Sequence, residues 1–216
     1  MNKTQTTLYF FLAIIFIATR LIEPFSFSWL IKILPMLMLI AITLKVTVNR
    51  NEKTFLIGLM FSTFGDFFLD YDAINWFIFG LASFLVAHIF YIISFTPLSA
   101  IKIKARLMIV VAYIIFGLFI FNLISNNLGD LFIPVLIYMT VLLLMAVSTL
   151  LSYKSNKWLI IGGVSFVVSD SILGINKFYL SIPYAEILIM TTYYFAQYAL
   201  VNSTLHFNNN SEEFDA

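Results

Sequence analysis

Two aspartates lie in similar surroundings, each inside a stretch of the chain apolar enough to cross a membrane. Asp66 and Asp170 each follow a small residue, and each precedes a leucine by three positions, at Leu69 and Leu173. A carboxylate in the hydrocarbon core of a bilayer costs free energy, so it indicates a functional site by default. Two acids with the same surroundings therefore suggest one shared site, with a structural hydrogen bond between helices as the alternative for either acid alone.

Other polar residues recur on the helix faces that would surround the two acids. Ser62 lies one turn before Asp66 on the same helix face, and Ser169 directly precedes Asp170. The candidates for orienting water or substrate are Ser62, His88, Tyr91, Ser169, Tyr194 and Gln197. The alternative for these residues is that they are ordinary polar contacts between packed helices.

The sequence predicts no metal site and no cofactor. Its two histidines are His88 and His206, and it contains no cysteine. A zinc site normally takes three or four His, Cys or carboxylate ligands. A site built from His88 and the two acids would have few metal ligands. We therefore expect a reaction that uses no metal.

Composition places the chain among polytopic membrane proteins. Hydrophobic residues make up 62% of the 216 residues and charged residues only 11%, which is outside the range of water-soluble domains. The formal net charge is +1, and no basic block is present that would neutralise a run of phosphates, so we expect no nucleic-acid partner. The lack of cysteine also excludes disulfides, thiolate metal sites and a cysteine nucleophile.

The apolar stretches predict an all-α bundle of eight transmembrane helices, because a helix needs about 20 apolar residues to cross the hydrocarbon core. The predicted spans are roughly 7–22, 28–48, 54–70, 74–96, 105–123, 130–152, 157–175 and 184–206. They form one domain, residues 1–207, and the polar tail at 208–216 is predicted to be disordered. The first stretch lacks a small-residue cleavage site and is followed by Glu23 and Pro24, which predicts a retained span rather than a signal peptide.

The distribution of basic residues predicts the orientation of this bundle. With eight spans both termini lie on one side of the membrane, and nine of the 12 Lys and Arg residues fall on that side. The other three are Arg20, Lys32 and Lys177. Because basic residues accumulate in cytoplasmic loops, both termini are predicted to be cytoplasmic, and both acids then lie in the outer halves of their spans.

The spacing of the polar residues suggests an internal repeat of four spans plus four. Asp66 and Asp170 are 104 positions apart, while His88 and Tyr91 match Tyr194 and Gln197 at a separation of 106. Repeats with an even number of spans keep their orientation, so the two halves would be related by an axis along the membrane normal.

Two residues near the outer side are candidates for holding the phosphate of a lipid head group. Lys32 lies in the outer half of the second span, and Asn176 lies at the outer end of the seventh beside Lys177. A lysine in this position also has the simpler interpretation of a side chain that reaches the interface to keep its charge hydrated.

Taken together, the sequence resembles the YhhN-like family of integral-membrane lysoplasmalogenases over most of its length. The resemblance lies in the order and spacing of several short motifs. They are Lys32 and Pro35, Phe61–Ser62 with Gly65–Asp66 and Leu69, Gly80 with Phe84, His88 and Tyr91, Pro134 with Tyr138, Gly162–Gly163 with Phe166, Ser169–Asp170 and Leu173, Asn176–Lys177–Phe178, and Tyr193–Tyr194 with Gln197. Both acid positions agree with the family pattern.

The resemblance implies hydrolysis of the vinyl ether bond of a lysoplasmalogen, giving a fatty aldehyde and glycerophospho-ethanolamine or glycerophospho-choline. Asp66 and Asp170 would be the acid–base pair, since glycosidases handle a similar oxocarbenium ion with paired carboxylates. Which of the two is the acid stays open, as do the exact lipid substrate, its head group and the oligomeric state. The implied partner is a lysophospholipid in the bilayer.

The alternatives are a small proton-coupled transporter or a lipid-binding membrane protein that uses the same acids. The bias toward Ile, Phe, Asn and Lys, together with short loops, indicates an AT-rich bacterial genome. The predicted location is therefore a bacterial cytoplasmic membrane.

Overall fold

The described part of the chain is entirely helical, as the hydropathy pattern predicts. A computed structural model describes residues 1–21, 27–47 and 49–212, apart from the side chains at 100, 101, 103–105 and 206–212. These residues form eight α-helices and one short 3-10 turn at Gly129–Leu131. The helices are α1 (Lys3–Thr19), α2 (Ser28–Leu44), α3 (Arg50–Tyr71), α4 (Phe77–Ser94), α5 (Ala100–Ser125), α6 (Phe132–Leu151), α7 (Lys157–Phe178) and α8 (Ala185–Glu212).

Each predicted span corresponds to one helix, with some shifts at the ends. Helix α5 begins at Ala100, five residues before the predicted start of its span. Helix α8 continues to Glu212, while residues 213–216 of the predicted disordered tail lie outside the described residues. The predicted break at Glu23 and Pro24 also lies outside them. The disordered tail therefore stays a prediction.

The length and hydropathy of the helices indicate which of them could cross a membrane. Four described helical segments are long and apolar enough to cross a bilayer, namely Phe77–Ser94, Arg106–Ser125, Gly129–Leu151 and Lys157–Phe178. Helices α1 and α2 are apolar but have only 17 residues each, which gives a length of about 25 Å against a hydrocarbon core of about 30 Å. The count of eight transmembrane helices therefore stays a prediction.

Similar caps begin the two helices that carry the acids. Asn49 and Asn156 each accept a hydrogen bond from the backbone amide three residues on, which satisfies an amide left open at a helix start. These caps are 107 positions apart, whereas the acids are 104 apart. Relative to its cap, Asp66 is thus about 4.5 Å further along its helix than Asp170. The parallel is imperfect, and the internal repeat remains a prediction.

Glycine allows the two central helix pairs, α3 with α4 and α7 with α8, to pack closely. A methyl group on Gly58 would lie 2.5 Å from the Tyr91 ring and 3.2 Å from the carbonyl oxygen of Ala87. On the other pair, a methyl group on Gly162 would meet Leu200 at 2.7 Å. Helices α1 and α2 pack on one side of these pairs and α5 and α6 on the other, so the buried centre lies between them.

Replacing Gly58 by alanine is expected to destabilise the bundle by about 1–3 kcal/mol, the usual cost of overpacking. The Tyr91 ring cannot withdraw easily, since it is fully buried and its hydroxyl is hydrogen-bonded. The matched control is Gly174→Ala, whose new methyl group would lie 3.8 Å from Ile124, an ordinary contact. The measurement is the midpoint of thermal unfolding in one detergent, and equal midpoints for the two variants would contradict the close packing of α3 on α4.

Candidate functional site

Both aspartates border one cavity at the centre of the bundle, which we call the inner cavity. Its polar lining consists of Lys32, Asp66, Tyr138, Ser169, Asp170 and Tyr193. The rest of the wall is apolar and comes mainly from α4, α7 and α8. The space open to the centre of a water molecule is about 50 Å³, enough for a few waters or a small part of a ligand.

Asp66 lies between a cation and a hydroxyl donor. The Tyr193 hydroxyl donates a hydrogen bond to Oδ2 at 2.6 Å, and Lys32 Nζ lies 3.8 Å from Oδ1. Asp66 is 2% exposed and Lys32 is 6% exposed. At this burial the attraction between the two charges is far stronger than in water. Lys32 therefore stabilises the ionised form of Asp66.

Asp170 has a different set of partners. Its Oδ2 accepts a hydrogen bond from the Tyr138 hydroxyl. Within the described residues no Lys or Arg forms an ion pair with Asp170. An apolar wall without a countercharge favours the neutral form of a carboxyl group. The two acids thus differ in their partners, since among the described residues only Asp66 has a cation beside it.

Tyr138 and Tyr193 contact the acids directly, although neither was among the predicted site residues. Tyr138 lies on α6 and Tyr193 on α8, so neither is near its acid in the sequence. One signal was present for Tyr138, which lies 106 positions after Lys32. That is the separation noted between His88 and Tyr194. For Tyr193 the signal was its helical neighbourhood with Tyr194 and Gln197, and both tyrosines also belong to the motifs that carry the family resemblance.

Three of the predicted residues form a separate polar network. The Tyr91 hydroxyl donates to Gln197 Oε1 at 2.9 Å and lies 3.2 Å from the Ser62 hydroxyl. None of these three residues lines the inner cavity. Each is fully buried, so the network ties α3, α4 and α8 together. Its contacts are those of helix-packing residues.

His88 is buried against aromatic rings rather than in the inner cavity. Its ring lies edge-on to Phe166 at 4.7 Å between centroids, and the Tyr138 ring is 5.5 Å away. Both imidazole nitrogens are buried and have no hydrogen-bond partner among the described residues. A search of the same residues finds no group of three or more His, Cys, Asp or Glu side chains that could hold a metal ion.

The remaining predicted residues support the site through backbone contacts. The Ser169 hydroxyl donates to the carbonyl oxygen of Ile189 at 3.0 Å, and the Tyr194 hydroxyl donates to that of Lys32 at 2.7 Å. The first bond joins α7 to α8 and the second joins α8 to α2. Tyr194 thereby fixes the backbone that carries the Lys32 side chain toward Asp66.

A second, more open cavity adjoins the inner cavity at one end of the bundle, and we call it the vestibule. Its volume is about 210 Å³, and Lys32 lines both cavities. Arg20 bridges two acids there, at 2.8 Å from Asp70 and 3.2 Å from Glu186. The vestibule also includes Asn176 and Lys177. A ligand that carries one positive and one negative group could thus reach Asp66 and Asp170 from this end.

Asn176 and Lys177 occupy different positions on the vestibule wall. Asn176 Oδ1 accepts a hydrogen bond from the Ile182 amide at 2.8 Å, so it holds the loop before α8. Lys177 Nζ lies 4.1 Å from the centre of the Phe77 ring, and 3.5 Å from the carbonyl oxygen of Ala73. Lys177 is therefore the better placed of the two to meet an anion.

An all-α membrane protein with two carboxyl groups on one buried cavity is the class that the fold and the site define. A model of the YhhN family matches residues 27–204, which run from the start of α2 into α8 and include both acids. The chain belongs to the YhhN family.

Several relatives are named lysoplasmalogenases. The Mycobacterium tuberculosis lysoplasmalogenase is 31% identical over 166 residues, which cover 69% of this chain and 64% of the relative. Mouse lysoplasmalogenase TMEM86B is 32% identical, covering 85% of this chain and 77% of the relative. Bovine lysoplasmalogenase TMEM86A is 28% identical, covering 89% and 84%. The match thus spans just under two thirds of the length of the mycobacterial relative. No solved structure matches the chain.

Proposed function

We propose that the protein is a membrane hydrolase that cleaves the vinyl ether bond of a lysoplasmalogen. The observation that carries the proposal is the placement of Asp66 and Asp170 on one buried cavity with different partners. The names of the relatives support the choice of substrate. The products would be a fatty aldehyde and glycerophospho-ethanolamine or glycerophospho-choline.

In this proposal the bundle crosses the membrane eight times, with both termini in the cytoplasm of a bacterial cell. The vestibule then opens at the outer side, because Arg20, Lys177 and Glu186 lie at the ends of helices opposite the termini. The head group of a single-chain lipid would occupy the vestibule. Lys177 would meet the phosphate, and Glu186, whose side chain is 65% exposed, would meet the ammonium group.

The two acids have distinct roles in this mechanism. Lys32 keeps Asp66 as a carboxylate, because a nearby opposite charge favours the ionised form. Asp170 keeps its proton, because it has no such cation and faces an apolar wall. Asp170 is therefore the general acid and Asp66 is the general base.

The reaction begins when Asp170 transfers its proton to C2 of the vinyl ether, which leaves an oxocarbenium ion at C1 and its ether oxygen. The Asp66 carboxylate stabilises this cation electrostatically and takes a proton from the water that attacks C1. The resulting hemiacetal collapses. Its hydroxyl proton passes to the Asp170 carboxylate, and the proton on Asp66 goes to the departing glycerol oxygen. Both acids then return to their starting states.

Release of aldehyde by the purified protein in detergent tests the proposal. In D₂O, protonation at carbon is expected to place one deuterium at C2 of the aldehyde, which is reduced at once to the alcohol so that exchange does not blur the mass. The saturated 1-alkyl analogue has no double bond to protonate and is the control that should stay intact. Cleavage of a 1-acyl lysophospholipid instead would contradict the vinyl ether assignment. No turnover of either lipid by folded protein would favour a carrier or a lipid-binding protein.

A further inference from the structure

A third cavity, which we call the side cavity, lies next to the inner cavity on the side of α5 and α6. Its walls come from α4, α5, α6 and α7, and are almost wholly apolar, with Leu81, Ile120, Ile124, Met139 and Leu142 among them. Among the described residues, Asp170 is the only charged residue that lines it. Such a wall suits a hydrocarbon chain, because it has few polar groups that could bind a head group.

The side cavity adjoins the inner cavity at the proposed proton donor. Tyr138 and Asp170 line both cavities, as do Phe77, Leu81 and Leu173. A lipid whose head group lies in the vestibule would therefore pass the two acids and continue into the side cavity. In a lysoplasmalogen the hydrocarbon begins at the vinyl ether carbons, so the bond to be cleaved would lie where the cavities meet.

Helix α5 forms the outer wall of the side cavity and lies at the edge of the bundle. It packs against α6 and α7, and its span Arg106–Ser125 is the least buried of the four membrane-spanning segments described. Ile120 and Ile124 of α5 line the cavity together with Phe77 and Leu81 of α4. The two helices face each other across the cavity, so a chain bound there could pass between them to the surrounding lipid.

We propose that the side cavity binds the first methylenes of the substrate's hydrocarbon chain and directs the rest of the chain out between α4 and α5. This proposal rests on the proposed function and adds the part of the substrate that the acids do not contact. Gly174 lies one turn after Asp170 on α7 and lines this cavity, and a methyl group added there would meet only Ile124, at 3.8 Å. A larger residue at Gly174 would occupy the place of several methylenes.

The competing site is an apolar groove between α1 and α8, lined by Phe10, Ile14 and Phe195 among others. This groove is larger than the side cavity. Among the described residues, however, none lines both this groove and the inner cavity. A chain in that groove would leave the vinyl ether away from both acids. The two locations therefore make different predictions about which helices a bound chain contacts.

The first experiment compares hydrolysis of long-chain and short-chain lysoplasmalogens by Gly174→Ala and Gly174→Leu proteins. Each methylene removed from a bound chain costs about fourfold in affinity, so Gly174→Leu is expected to lower the long-to-short ratio of kcat/KM at least about tenfold. Gly174→Ala should fall between Gly174→Leu and wild type. Val168→Leu, on the exposed face of the same helix, should keep the wild-type ratio.

A second experiment uses the unmodified protein and so does not depend on a variant that folds. A non-hydrolysable 1-alkyl lysophospholipid with a photoreactive diazirine near the start of its chain is expected to label peptides of α5 and α6. Labelling of α1 and α8, or an unchanged chain-length ratio in Gly174→Leu, would overturn the side cavity as the chain site. Failure of wild type to release any aldehyde would instead refute the proposed function, and the two failures are thereby distinguished.

Discussion

Asp170→Asn is expected to reduce aldehyde release by about 10²–10⁴-fold, the usual contribution of a positioned general acid. Asparagine has nearly the shape of aspartate and still accepts the hydrogen bond from Tyr138, but it has no acidic proton to give to carbon. Protonation of C2 would then fall to water, which reaches the cavity in small amounts only. Binding of the saturated 1-alkyl analogue should change little, because the amide fills the same space.

Asp66→Asn is expected to cause a loss of similar size for a different reason. It removes the negative charge that stabilises the oxocarbenium ion and the base that activates water. It also leaves Lys32 buried beside a neutral amide. The measurement for both variants is the initial rate of aldehyde release, with folding followed by thermal unfolding in the same detergent.

Asp130→Asn is the matched control for both acid variants. Asp130 lies in the exposed turn before α6, far in the sequence from either acid. Its amide variant should keep wild-type rates. Wild-type turnover by folded Asp66→Asn or Asp170→Asn protein would rule out the acid–base scheme for that residue.

Lys32→Met is expected to destabilise the protein and to abolish most of its activity. Removing one partner of a buried ion pair typically costs about 3–5 kcal/mol, because the remaining charge is left without compensation. Asp66 can avoid part of this cost by taking up a proton, but it then ceases to be a base. Methionine retains much of the length of the lysine side chain, so the change is mainly one of charge.

The double variant Lys32→Met with Asp66→Asn separates stability from activity. Since it removes both charges, it is expected to regain most of the unfolding midpoint that Lys32→Met loses, while remaining inactive. Lys45→Met, at the exposed opposite end of α2, is the control and should resemble wild type. If the losses of the two single variants simply add in the double variant, Lys32 and Asp66 do not interact, and the assignment of the base loses its support.

Much of the candidate site followed from the sequence because its signals are local. Apolar runs indicate helices of membrane length, and an aspartate inside such a run is conspicuous without any knowledge of packing. Asp66 and Asp170 were selected in this way. They line the inner cavity together with Lys32, predicted to hold a phosphate, and Ser169, predicted to orient water or substrate. Their catalytic and binding roles stay predictions.

Other features of the site needed the tertiary structure. The sequence grouped Tyr91 and Gln197 with the acids, but both lie in a buried network away from the inner cavity. Tyr138 and Tyr193, which do contact the acids, lie on other helices than the acids themselves. The difference between the acids also depends on Lys32, which lies 34 positions before Asp66.

The features that the sequence determined differ from those that needed the tertiary structure for a physical reason. Hydropathy and helix caps depend on neighbouring residues, so the sequence by itself determined the all-α class, the membrane character and the presence of two acids inside apolar helices. Contacts between helices depend on how each helix is rotated, and one residue step turns a side chain by about 100° around the helix axis. Only the tertiary structure could therefore decide that Lys32 faces Asp66, that Tyr138 faces Asp170, and that an apolar cavity continues from the second acid toward α5.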